Sequence, residues 1–262
     1  MKLSEQDHID LVYAVELLEN PGLAARLVSM LGTPIESGMS MLPAGAHALI
    51  ERATTRALGS ALEVALSTLD RQRQGSSRDR FHKALVIGSG FGAGAFGLPA
   101  LAVELPVTTT VMLRSIADIA RSEGESLEVV SSRLACLEVL AFGGRGSDDD
   151  SSDSGYFMVR TALARAISDA AAHVAKRGIV LEGAPALVRL VAQIASRFGV
   201  VASEKVAVQA VPVVGALGGA FVNSVFIDHF QDMARGHFIV RRLERTHGPD
   251  AIRTAYDAAR SR

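Results

Sequence analysis

The sequence predicts an all-α fold: a helical bundle with two glycine-rich apolar helical hairpins packed at its centre. Three observations carry this. Apolar residues recur at three-to-four spacing through most of the chain, the period of a helix with one buried face. No stretch of four to eight β-branched or aromatic residues alternates with polar ones between turn signals, so the strand signature is missing. Two runs of 20 and 22 residues carry no charge at all, long enough to form central helices.

The elements follow in order. Leu11, Val15 and Leu18 lie on one face of a helix between Ser4 and Asn20, which Asn20-Pro21-Gly22 stops. Leu58, Leu62, Leu66 and Leu69 stripe a second, longer helix over 46–70, with Arg52, Arg56 and Glu63 left for its other faces. Val159, Leu163, Ile167, Ala170 and Val174 mark a third stripe. Leu187, Leu190, Ile194 and Phe198 mark a fourth, opened by Pro185, a residue suited to a first helical turn. Gln72 to Ser77 reads as a solvated loop, as does the segment from Gly143 to Gly155, which carries Asp148, Asp149, Asp150 and Asp153 among serines and glycines. The chain is read as a single helical domain over 1–262, with a flexible acidic loop at 143–155.

The two uncharged runs are residues 84–103 and 206–227. A bilayer core takes roughly 20 apolar residues, so length permits insertion. Gly88, Gly90, Gly92, Gly94 and Gly97 weaken the first run as a lone membrane helix, because an interior glycine costs about 1 kcal/mol relative to alanine. The four-residue spacing of Gly88/Gly92 and Gly215/Gly219 favours close helix approach, in a membrane or in a packed core. Pro99 and Pro212 break or kink the runs, which predicts hairpins rather than straight spans. Both runs give way to amphipathic segments that end on Gly124 and Gly248, a loose repeat in composition.

Composition narrows the function classes. With 48% hydrophobic and 21% charged residues among 262, the chain has the apolar surface to fold. The 27 basic and 28 acidic residues nearly cancel, so no overall field draws the chain to nucleic acid, and none is expected as partner. A lone cysteine, Cys136, rules out an intramolecular disulfide and a multi-cysteine metal site, and fits a reducing compartment. The first 20 residues include three acids by Asp10 and no uninterrupted apolar core, unlike a secretory signal. The expected location is cytoplasmic, or peripheral at the cytoplasmic membrane, and not secreted.

The residues able to do chemistry fall in two places. Asp228, His229, Asp232 and His237 share one predicted helix with Arg235, Arg241 and Glu244, and His229 and Asp232, three apart, are neighbours on one face. Glu104 sits at the mouth of the first run, with Arg114 and Asp118 in the helix that follows it. Glu104, His229, Asp232 and His237 together could hold a zinc or iron ion with an activated water for hydrolysis. The same residues could instead be buried ion pairs, such as Glu104 or Asp118 with Arg235 or Arg241, plus hydrogen-bonded histidines. No ligand spacing of recognised specificity is present, which weighs for the pairs and for no cofactor. HExxH, GxSxG and a GxxxxGK[ST] loop are all absent, and the glycines at 88–92 follow no strand. Cys136 lies on an apolar helical pattern and reads as a small buried hydrophobe. Seven arginines between Arg235 and Arg262 form the one local basic excess, suited to anionic lipid, an acidic partner or a solvated face.

The blocks GFGAGAFGLPALAVELPVTTTVMLRSIADIA, GYFMVRTAL and RFGVVASEKVAVQAVPVVGALGGAFVNSVFIDHFQDMARGHFIVRRLE resemble the EcsC protein family. The resemblance runs from about Asp10 to Tyr256. It implies a bacterial protein, intracellular or at the inner membrane, and transfers no catalytic residue. The family takes its name from a protein encoded beside two components of an ABC transporter linked to secretion. The resemblance thus implies a non-enzymatic accessory role, with the inner-membrane surface or ABC transporter subunits as partners. Some members carry a peptidase label, which this sequence does nothing to support; the alternative is a metal-dependent hydrolase using Glu104, His229, Asp232 and His237.

Overall fold

The computed structural model describes residues 3–19, 23, 26, 27, 35–69, 98–142, 155–178, 184–210 and 212–261, with the side chains at 35–37, 98–101, 212–218 and 220 outside that description. Among the described residues there are nine α-helices and no strand: α1 (Glu5–Glu19), α2 (Ile35–Ser40), α3 (Ala46–Ser67), α4 (Leu98–Ser122), α5 (Val130–Glu138), α6 (Gly155–Arg177), α7 (Pro185–Ala210), α8 (Pro212–His247) and α9 (Pro249–Arg260). The all-α fold is as the apolar periodicity predicts.

Local chemistry fixes the helix ends. Ser4 caps α1: the Asp7 amide donates to Ser4 Oγ at 3.1 Å, and that hydroxyl donates back to Asp7 Oδ2 at 2.7 Å. Gly124, at φ 79°, closes α4, with the Glu125 amide reaching Ala120 O at 2.9 Å and the Gly124 amide reaching Arg121 O at 3.0 Å, a Schellman arrangement that needs the left-handed residue. Gly248, at φ 89°, separates α8 from α9, where Pro249 takes the first turn. Cations meet carbonyls at the end of α3 and just beyond it, Arg133 Nη1 on Leu66 O at 2.8 Å and Arg121 Nη2 on Leu69 O at 2.5 Å.

The predicted stripes are the core. Leu58, Leu62, Leu66 and Leu69 are buried, as are Leu187, Leu190, Ile194 and Phe198, and α3 packs against both α4 and α7. Phe198 of α7 and Phe226 and Phe230 of α8 form an aromatic cluster with centroids 5.2 to 6.1 Å apart. Each buried ring contributes about 1.5–3 kcal/mol over its exposed state. The 36-residue α8 touches α1, α4, α7 and α9 and so ties the bundle together. Helices approach most closely at two glycines: a Cβ on Gly38 would overlap the Ala207 carbonyl, and one on Gly236 would meet Leu18 Cγ at 2.6 Å.

The apolar runs fare differently. The second changes helix at Pro212: α7 ends at Ala210, α8 starts at Pro212, and the two pack against each other. Only 98–103 of the first run is described, with Pro99 in the opening turn of α4; Gly88 and Gly92 lie outside the described residues. Glu104, Arg114 and Asp118 belong to one helix, since α4 runs through Pro106 without ending. The acidic loop is outside the described residues up to 154, and its last residue, Gly155, opens α6.

Candidate functional site

The structure gives each of the four candidate metal ligands a setting of its own. Glu104 Oε1 accepts from Lys205 Nζ at 2.7 Å, linking α4 to α7. Asp232 pairs with Arg26 at 2.8 Å and with Arg235 at 3.3 Å. His229 is buried with its ring edge-on to Phe230, centroids 5.3 Å apart. His237 Nδ1 lies 3.0 Å from the Tyr156 hydroxyl. Among the described residues no three His, Cys, Asp or Glu side chains form a group able to hold a metal. Ion pairing is present: Asp118 pairs with Arg121 at 2.8 Å, and Arg241 with Glu125 at 2.9 Å. Arg114 and Asp228 are half-buried on α4 and α8.

Much of the C-terminal basic excess faces inward. Glu125, delivered by the Gly124 turn, receives Arg241, Arg245 and the Ser132 hydroxyl. These donors and charges outweigh burial and hold its carboxyl below the usual range. Arg242 bridges Glu123 at 2.9 Å and Asp10 at 2.6 Å, so α1, α4 and α8 meet in one charge network.

A second polar centre lies where α5, α6, α8 and α9 converge. The floor is Glu138, only 4% exposed, with Oε2 3.8 Å from His237 Nε2. Where the Tyr156 phenol donates to Nδ1, the imidazole proton sits on Nε2 and faces Glu138. Arg160 forms a bidentate pair with Glu244, at 2.8 and 2.9 Å, and its guanidinium stands 5.4 Å from the Tyr156 ring centre. Burial pushes the Glu138 carboxyl up to about 7, with Arg160 and Arg241 pulling against that shift. Burial, with the same two arginines, drives His237 well below its usual range, so the ring is neutral. Burial also raises the Tyr156 phenol. A cavity of about 400 Å³ opens above Glu138, walled by Phe157 and Ile167 and rimmed by Arg160, Arg241, Glu244 and Arg253.

Chemically this is a carboxyl able to exchange a proton near neutrality, beside a neutral imidazole and a phenol, under guanidinium groups. Sequence reasoning chose His237, Arg241 and Glu244 and missed Glu138 and Arg160. The signal for Glu138 was present: a single acid inside the apolar stretch Leu134 to Phe142. Tyr156 is a buried hydrogen-bonding partner of His237. Cys136 is buried and donates to Ser132 O at 3.4 Å, and burial pushes its thiol up to about 12, which fits a packing role.

No curated protein and no solved structure matches the chain. The model of the EcsC protein family matches residues 22–243, a span that takes in α2 to α7 and nearly all of α8, with Lys205, Glu138 and Glu125 inside it. On that match, over most of its length, the chain belongs to the EcsC protein family.

Proposed function

We propose that this single-domain protein is a non-enzymatic accessory factor that docks at the cytoplasmic face of the inner membrane, with a subunit of an ABC transporter or secretion system as its partner. The observation that carries this reading is the pair joining the end of the first uncharged run to the start of the second. Glu104 follows the first run and Lys205 precedes the second, and the two are paired to each other in the interior. Beside them Val103 and Val107, one turn apart on α4, are 70% and 49% exposed. Apolar side chains at that exposure, next to two long uncharged segments, suit a lipid or membrane-protein surface. The arginines of α8 contribute little to such docking, because Arg241, Arg242 and Arg245 are engaged with Glu125, Glu123 and Asp10. Docking is therefore mainly apolar and resists salt.

Cell fractionation tests the reading. The protein is expected in part with the membranes, and V103D/V107D shifts it to the soluble fraction. Full recovery of the unmodified protein in the soluble fraction at low salt removes the proposal.

A further inference from the structure

We propose that the cavity between α6, α8 and α9 is a binding site for a small organic oxyanion, a phosphate monoester or carboxylate carrying an apolar body. Four independent features point to this chemistry.

The first is the guanidinium set. Arg160, Arg241 and Arg253 all line the one cavity, from three different positions on α6, α8 and α9. A guanidinium has five N–H donors. Glu244 takes two from Arg160, and Glu125 takes two from Arg241, which leaves donors on both. Planar forks of this kind match the oxygens of carboxylate and phosphate.

The second is a helix N-terminus. Pro249 and Asp250, the first two residues of α9, line the cavity; Pro249 has no N–H to offer, so this end contributes the Asp250 amide, with the Asp250 carboxylate on the same rim. The opening turn of a helix leaves amides unsatisfied and favours negative charge.

The third is Glu138 at the floor. Its side chain is more than nine-tenths buried and lines the cavity, with Oε2 3.8 Å from His237 Nε2. His237 Nε2, fully buried beside it, lacks a hydrogen-bond partner. A protonated Glu138 carries no charge against an anion and can donate to it, as buried carboxylic acids do when kept neutral.

The fourth is the apolar wall. Phe157 has Arg160 and Arg253 at 5.6 and 5.2 Å from its ring centre, and Ala164 and Ile167 continue that side. A ligand with its oxyanion among the arginines would lay its hydrocarbon part there. The volume, about 400 Å³, is that of a small-molecule site. This site is separate from the valines and the Glu104–Lys205 pair on which the membrane reading rests, so either can stand without the other.

Calorimetric titration of the full chain with phenyl phosphate and benzoate tests the proposal, with benzyl alcohol as the neutral comparison. Saturable one-to-one binding of at least one anion is expected, with benzyl alcohol much weaker. R253Q, at the exposed rim, should weaken binding about tenfold through loss of one charged donor. A164F fills the cavity with no change in charge and should abolish binding, while thermal melts report that each variant is folded. If one variant fails to fold, the other decides the matter. No binding of either anion by the unmodified protein, binding unchanged in the folded variants, or benzyl alcohol binding as tightly as the anions would each overturn the proposal.

Discussion

Lys205 Nζ sits 2.7 Å from Glu104 Oε1 in a pair closed off from solvent, and the ammonium also stands 4.9 Å from the centre of the Phe226 ring. These are two of the four charges that flank the uncharged runs in the sequence, Lys83 and Asp228 being the others. Desolvation lowers the Lys205 affinity for its proton, and Glu104 opposes that loss through its charge and its hydrogen bond. The pair thus fixes α4 to α7 where the first run ends and the second begins.

Removing half of that pair should be far worse than removing both halves. Glu104→Gln leaves a buried ammonium without its anion and is expected to cost about 3–5 kcal/mol. The double substitution E104L/K205M keeps the volume apolar and should return to within about 1 kcal/mol of the unmodified protein, or exceed it. Urea denaturation of the three proteins checks this, and equal losses for the single and double variants would count against a buried pair.

Glu138 makes stability depend on pH in a definite direction. Its carboxyl is raised from 4.5 to about 7, so the folded state binds more protons than the unfolded one between those values. Its contribution is intact below about pH 4.5 and is lost as pH rises through 7. His237, held low, works the other way below its ordinary value of 6.5, and Glu125, also held low, loses its contribution only in acid. Comparison with Glu138→Gln isolates the one group. The variant should match the unmodified protein near pH 4 and be more stable by up to about 3 kcal/mol at pH 8. Thermal melts across that range measure the gap; a gap that does not grow with pH would contradict a raised Glu138.

The helices were legible because a period of 3.6 in apolar residues is a local signal: the stripes of α3, α6 and α7 are buried nearly residue for residue. The glycine stops at Gly124 and Gly248 were legible for the same reason, and both have positive φ. The partners of the charged residues were not. Glu104 and Lys205 are 101 positions apart, and Arg160 and Glu244 are 84 apart, so which charge meets which is decided by helix packing that no local pattern contains. Pro106 sits inside α4 without ending it. Its ring costs one backbone hydrogen bond, and the burial of neighbouring Leu105, Met112 and Leu113 outweighs that loss.

Two glycine substitutions should have opposite signs. Gly236→Ala places a Cβ against Leu18 Cγ and 3.1 Å from Ala14 O where α8 crosses α1, and should destabilise by about 1–3 kcal/mol. Gly59→Ala, in the middle of α3 with nothing within 4 Å of the new methyl, should stabilise by about 0.5–1 kcal/mol. Denaturation midpoints of the pair provide the check, and a stabilised Gly236→Ala would mean that α1 and α8 are not in close contact.

The most direct test of the membrane reading is flotation of the full chain with phosphatidylethanolamine–phosphatidylglycerol vesicles, at low salt and at about 1 M salt, where the screening length is about 3 Å. The protein is expected to rise with the vesicles at both salt levels, and V103D/V107D to remain at the bottom. Unmodified protein that stays at the bottom at low salt, or that rises only at low salt, would contradict apolar docking beside the Glu104–Lys205 pair.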